Sequence, residues 1–183
     1  MFRGCMKRIS GVMLPILLFS FAGICMAADP AATVKQASSL DDQVRHELLM
    51  LPYFGVFDSL HFAIEGSDTV VLTGQVVRPI LKLDAEAAVK RIPGVSRVVN
   101  NIEVLPLSRF DNEIRWRAYR AIYSRPGFER YAIQAVPPIK IIVKNGDLTL
   151  EGVVGSQLDK IMAGMAARSI PGVFSVTDDL RIG

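Results

Sequence analysis

The second half of this chain repeats its first half at a fixed spacing. Residues 70–76 read VVLTGQV, and 78 positions later residues 148–154 read LTLEGVV. Ile92-Pro93-Gly94-Val95 returns as Ile170-Pro171-Gly172-Val173, and Val99-Asn100-Asn101-Ile102 returns as Thr177-Asp178-Asp179-Leu180, both at the same offset. Three matches at one constant spacing mark two copies of one module, and a repeat fixes the architecture before any single element does. Whatever one copy folds into, the other must fold into as well.

In the first copy, Asp41 and Asp42 offer an N-cap ahead of Val44, Leu48, Leu49 and Leu51 at helical spacing, and Pro52 ends the run. Residues 60–64 and 69–77 predict two strands around a Gly66-Ser67-Asp68 turn. Residues 80–92 predict a second helix, with Leu83, Ala87 and Val89 toward the core and Pro93-Gly94 as its stop. A third strand covers 95–104. The second copy has a helix over 112–124 behind an Asp111 cap, then strands at 140–144 and 147–154 around Asn145-Gly146, a strong hairpin signal. A helix over 157–170 and a strand over 173–182 complete it.

The first helices correspond at an offset of 70 (Val44 with Ile114), the later elements at 78, so copy two holds eight extra residues between helix and hairpin. Pro126, Gly127, Pro137 and Pro138 fall in that stretch. The fold class is α+β: two tandem α-β-β-α-β modules, each a small three-stranded mixed sheet covered by two helices. The modules span 41–105 and 111–183. A linker at 106–110, holding Pro106, is too short for free swinging, so the two should pack together.

The N-terminus has a different character. Arg3, Lys7 and Arg8 precede an almost wholly apolar run over 12–24, and Cys25-Met26-Ala27 ends in small residues before Ala28. That three-part pattern predicts a signal peptide over 1–27 and hence an exported, periplasmic protein. The alternatives are an uncleaved anchor and a lipid-modified Cys25, against which Ile24 stands where a small residue is wanted. Residues 28–40, rich in Ala and Ser, are expected to form a flexible tether.

Removing 1–27 takes away three basic residues and no acid. It leaves 18 Lys+Arg against 18 Asp+Glu, so the net charge of +3 belongs to the leader. A nucleic-acid partner loses its electrostatic support on this subtraction. Both cysteines, Cys5 and Cys25, leave with it, so thiol catalysis, disulfides and Cys-ligated metal are excluded from the remainder.

At the repeated motifs the chain resembles the BON domain, a small module of bacterial envelope proteins. Gly74 and Gly152 fill the glycine of the family's alternating strand. Pro93-Gly94-Val95 with Asn101, and Pro171-Gly172-Val173 with Asp179, fill its closing motif, copy two carrying Asp where copy one carries Asn. The resemblance spans about 41–183. It implies a non-catalytic envelope protein without cofactor, of a family described as phospholipid-binding and associated with envelope integrity and osmotic stress. It also implies a structural role for Gly74, Gly94, Gly152 and Gly172.

Catalytic candidates are few. His46 and His61 belong to no metal-ligand motif, and neither a nucleophile elbow nor a phosphate-binding glycine loop is present. Asp178-Asp179, with Glu151, reads as a solvated strand-edge group rather than a cation site, and no metal is expected. Gly74 and Gly152 inside strands are expected to allow close packing against a helix.

The sharper feature is the first helix of copy two. Ile114, Ala118, Ala121 and Ile122 fall on its core face. Trp116, Tyr119 and Tyr123 form an adjoining aromatic stripe flanked by Arg115, Arg117, Arg120 and Arg125. Trp and Tyr favour the headgroup level of a bilayer, and Arg gains from anionic lipid. The stripe therefore fits a peripheral lipid or partner surface. It fits equally a packing surface for module one or the Pro-rich insertion. Residues 51–57, with Tyr53, Phe54 and Phe57, pose the same choice between a membrane tip and a core cover. The sequence thus points to a non-catalytic module whose partner is an anionic phospholipid or membrane surface. An envelope protein, bound in a protein-interaction or chaperone-like role, is the alternative.

Overall fold

A computed structural model describes the backbone of residues 30–183 and the side chains from Leu40 onward. The expected signal peptide over 1–27, with Cys25, lies outside the described residues. Each copy builds one helix, a hairpin, a second helix and a closing strand. Module one comprises α1 (Pro30–Leu49), β1 (Ser59–Glu65), β2 (Thr69–Val76), α2 (Pro79–Lys90), β3 (Arg97–Asn100) and β4 (Glu103–Val104). Module two comprises α3 (Arg109–Tyr123), a short α4 (Glu129–Ala132), β5 (Ile139–Lys144), β6 (Asp147–Val154), α5 (Gln157–Arg168) and β7 (Ser175–Ile182).

In both, the hairpin pairs antiparallel and the closing strand returns parallel beside the hairpin's second strand. The result is the mixed sheet under two helices that the repeat implies. The register shift of 28 is the same in each copy, Thr69 against Arg97 and Asp147 against Ser175. In copy one the closing strand is interrupted between β3 and β4, whereas β7 runs unbroken.

Two separate cores result. Val44 and Leu48 of α1 meet Val70, Leu72, Leu81, Val89 and Ile102 in the first. Ile114, Ala118 and Ile122 of α3 meet Ile141, Leu148, Leu150, Ala163 and Leu180 in the second. The eight-residue insertion adds to the second core, since Phe128 and Tyr131 are buried there. Tyr131 also donates to Asp159, which accepts from Ser156 at the start of α5. Burial alone would raise the Asp159 pKa, but the bonds from Ser156, Tyr131 and Arg130 hold it below the usual carboxylate range.

Several elements differ from their sequence expectations. α1 starts at Pro30 and takes in residues assigned to a tether. Proline suits a first helical turn, and Ala31, Ala32 and Ala37 favour helix. In α2, Leu83 is 61 % exposed and Ala87 is also outside, while Leu81, Ala85, Ala88 and Val89 are buried. Leu83 follows Leu81 by two residues, which on a helix carries it away from the core face. α3 is capped by Ser108, whose hydroxyl accepts the Asp111 N–H at 3.1 Å. Asp111 is fully buried and accepts the N–H groups of Asn145 and Gly146, at 3.0 and 2.9 Å. It thus ties the first helix to the hairpin turn. Gly74 and Gly152 do not make room for a helix. Their φ angles are 122° and 125°, and a Cβ would fall 2.1 Å from Ser59 O and 1.8 Å from Pro138 O, the backbone of the paired strand.

Candidate functional site

The aromatic stripe of α3 meets the 51–58 loop of module one. Tyr123 is 6 % exposed and donates to Ile139 O at 2.7 Å, and burial pushes its phenol pKa upward. Tyr119 sits beside it at 4.9 Å between ring centroids. Phe57 packs edge-on against Trp116 at 5.1 Å and against Tyr119 at 6.4 Å. Val56 and Phe57 thereby join the second module's core from outside it. The loop's backbone docks too: Ile141 N–H donates to Val56 O at 2.8 Å, and Lys140 Nζ to Gly55 O at 2.9 Å. Burial lowers the Lys140 pKa to about 8, against the opposing pull of Asp58. Its ammonium lies 4.2 Å from the Phe54 ring centroid.

Polar groups span the modules on the sheet faces away from the helices. Ser59 Oγ donates to Glu151, and His61 Nε2 lies 2.9 Å from Ser59 Oγ and 3.1 Å from Glu151 Oε2. All three meet through one nitrogen and one oxygen, with Ser59 buried. A nucleophile relay instead needs the histidine to bridge serine and carboxylate through its two different nitrogens. The cluster is a clamp. The bond from Glu151 holds the His61 pKa above its ordinary value, and that from His61 holds Glu151 below. Lys144 pairs with Glu103 at 2.6 Å nearby.

The seven sequence-selected residues therefore divide. Arg115 is 2 % exposed and donates to Val143 O at 2.6 Å, its pKa pushed down by burial, so neither it nor Tyr123 is open to a surface partner. Tyr119 is half-buried in the joint. Trp116 keeps 49 % of its surface exposed despite Phe57. Arg117 pairs with Glu113 and donates to Pro171 O at 3.2 Å, and Arg125 donates to Ala121 O. Arg120 is exposed and its side chain makes no hydrogen bond or ion pair among the described residues. What remains at the surface is a half-open indole flanked by Arg117 and Arg120.

The sequence reading missed Phe57, Ser59, His61 and Glu151 as joint residues. One signal could have found them: the aromatic helix exists only in copy two and the aromatic loop only in copy one, and unmatched features of a repeat can pair with each other. Among the described residues, no cluster of His, Cys, Asp and Glu could hold a metal ion. No described helix is long and apolar enough to cross a membrane.

The BON domain family model matches residues 36–106 and 129–183. No curated protein matches the chain. Among solved structures it is similar to two of CdsD, a structural protein of the type III secretion system of Chlamydia trachomatis. To the C-terminal domain it is 14 % identical with a TM-score of 0.32, covering 78 % of this chain and 64 % of that one, less than two thirds of its length. To the other it is 13 % identical with a TM-score of 0.30, covering 79 % and 93 %.

Proposed function

The chain belongs to the BON domain family, a non-catalytic family of envelope-associated proteins, and from that premise we propose that it is an exported peripheral protein that binds phospholipid headgroups through α3. The observation that carries this reading is the half-exposed Trp116 beside Arg117 and the unpaired Arg120. An indole with one edge packed and one edge wet suits the headgroup level, and each nearby Arg gains about 1 kcal/mol at an anionic surface. With acids and bases balanced outside the leader, the attraction is local and weakens with salt. Binding at the envelope surface would support its integrity, under osmotic stress among other conditions.

The test is co-sedimentation with neutral and with phosphatidylglycerol-containing vesicles. Trp116, the chain's one tryptophan, reports by its emission. Anionic-selective, salt-sensitive binding with a blue shift, lost in Arg120→Glu, supports the reading. Equal uptake by neutral vesicles, or a variant that binds like the parent, overturns it.

One observation favours the second reading, an envelope protein partner. On α5, Leu158, Ile161 and Met165 stand exposed at helical spacing, with 64 %, 46 % and 57 % of their surfaces in solvent. Such a stripe suits a partner's apolar face. Salt-insensitive capture of an envelope protein, abolished by Ile161→Glu, would favour it.

A further inference from the structure

A cleft of about 1040 Å³ lies between the two modules, away from the α3 surface. Three of the large apolar side chains that stand exposed, Leu49, Met50 and Val153, line it. Phe54, Leu60 and Pro138 continue its apolar wall. Module one supplies the C-terminal end of α1 and the start of β1. Module two supplies β6, the edge strand β7 and the proline step before β5. The tandem arrangement is what creates this space, since neither module alone has both walls.

Its charges are disposed unevenly. Arg45 is paired with Asp41, and Glu151 is turned to Ser59 and His61. Lys140 and Lys160 donate only to backbone carbonyls, those of Gly55 and Leu180. The Arg181 side chain makes no hydrogen bond or ion pair among the described residues, although its charge acts on Glu151 and His61. Of the three carboxylates in the lining, Glu151 is engaged by Ser59 and His61 and Asp178 accepts the Leu180 N–H, which leaves Asp179. Neither Lys160 nor Arg181 has a carboxylate within ion-pair distance, so both can meet an anionic head beside a wall of aliphatic and aromatic carbon.

We propose that this cleft binds a single-chain anionic amphiphile, one acyl chain with a singly charged head. The chain lies along Leu49, Met50, Leu60 and Val153, and the head meets Arg181 and Lys160. Clefts at domain boundaries with apolar walls and a few converging polar groups are the usual form of a small-molecule site. An uncharged amphiphile leaves Lys160 and Arg181 without an ionic partner, and a small hydrophilic anion leaves the wall wet. The site is independent of the α3 surface, because Trp116 and Arg120 take no part in its lining.

The test is calorimetric titration of the chain, as purified from a secreting host, in the absence of vesicles. Dodecanoate, lauroyl lysophosphatidylglycerol and dodecanol are each added below their micelle-forming concentrations. Saturable binding of one anionic amphiphile per chain, about tenfold weaker in Arg181→Glu and lost in Met50→Glu, supports the site. Both side chains are exposed, so an unchanged unfolding midpoint separates loss of binding from loss of fold. Dodecanoate alone binding identifies a fatty acid as the source, and the lysolipid alone identifies a phospholipid product. Arg120→Ala binds as the parent does even if vesicle binding is abolished. No saturable binding by either anion, equal affinity for dodecanol, or indifference to both cleft variants overturns the proposal.

Discussion

Truncating Phe57 should weaken both the joint and the fold around Trp116. Full burial of a Phe makes its change to Ala cost about 3–5 kcal/mol. Phe57 is part-buried, so roughly half of that is at stake, and its two edge-on contacts with Trp116 and Tyr119 account for part of it at about 0.5–1.5 kcal/mol each. Phe57→Ala is therefore expected to cost about 2 kcal/mol. If the modules unfold as one unit, the midpoint should fall by about 4–8 °C. Urea unfolding followed by far-UV circular dichroism measures the loss, and Trp116 emission should shift red as the indole loses its cover. Tyr53→Ala in the same loop is the internal control. Tyr53 is 67 % exposed and stacks only with Arg78, so its loss should stay within about 0.5 kcal/mol. The reasoning fails if Phe57→Ala leaves both stability and emission unchanged, because the loop would then not be seated on α3.

Gly152→Ala should destabilise by more than about 3 kcal/mol, since a positive φ and a Cβ set 1.8 Å from Pro138 O demand strand separation. Gly94→Ala, with open space around it, should cost only the strain of its φ of 96°, and comparing the two denaturation curves checks the difference. Asp111→Ala strips two backbone N–H groups of their acceptor in a buried site and removes a charge near Arg115, for an expected loss of about 2–4 kcal/mol by chemical denaturation. The clamp should impose a pH dependence. His61 is raised in the folded state, so its contribution is full below about pH 6.5 and fades as pH rises through the higher folded value. Glu151 is lowered, so its contribution is full above about pH 4.5 and fades as pH falls through the lower folded value. Thermal unfolding between pH 4 and 8 should show the loss on the alkaline side, and His61→Gln should flatten it.

Much of the fold was legible because the repeat removes ambiguity. A short apolar run such as 140–144 could be strand or buried helix on its own. Its place before Asn145-Gly146, and its match to the hairpin around Gly66, leave only the strand. The glycines show where that legibility ends. Their recurrence marks a backbone requirement, but the requirement proved to be the carbonyl of the paired strand, at Ser59 and Pro138, not a helix. Asp111 shows the same limit from another side. As a residue before a helix it reads as a cap, yet its carboxylate serves a turn 34 residues onward.

The sequence by itself determined the module, its duplication, the order of elements and the absence of thiols from both modules. These follow from local periodicity, turn residues and composition, which act between neighbours along the chain. Tertiary structure alone decided what became of the α3 stripe. The amphipathic pattern placed Trp116, Tyr119 and Tyr123 together but carried no information on what would cover them. Tyr123 is buried in its own module's core, the loop from the other module sets Phe57 against Tyr119 and Trp116, and Trp116 and Arg120 stay in reach of a partner. The cleft was equally out of reach of the sequence. Its walls are residues some 90 positions apart, such as Leu60 and Val153, and only the docking of one module on the other brings them face to face.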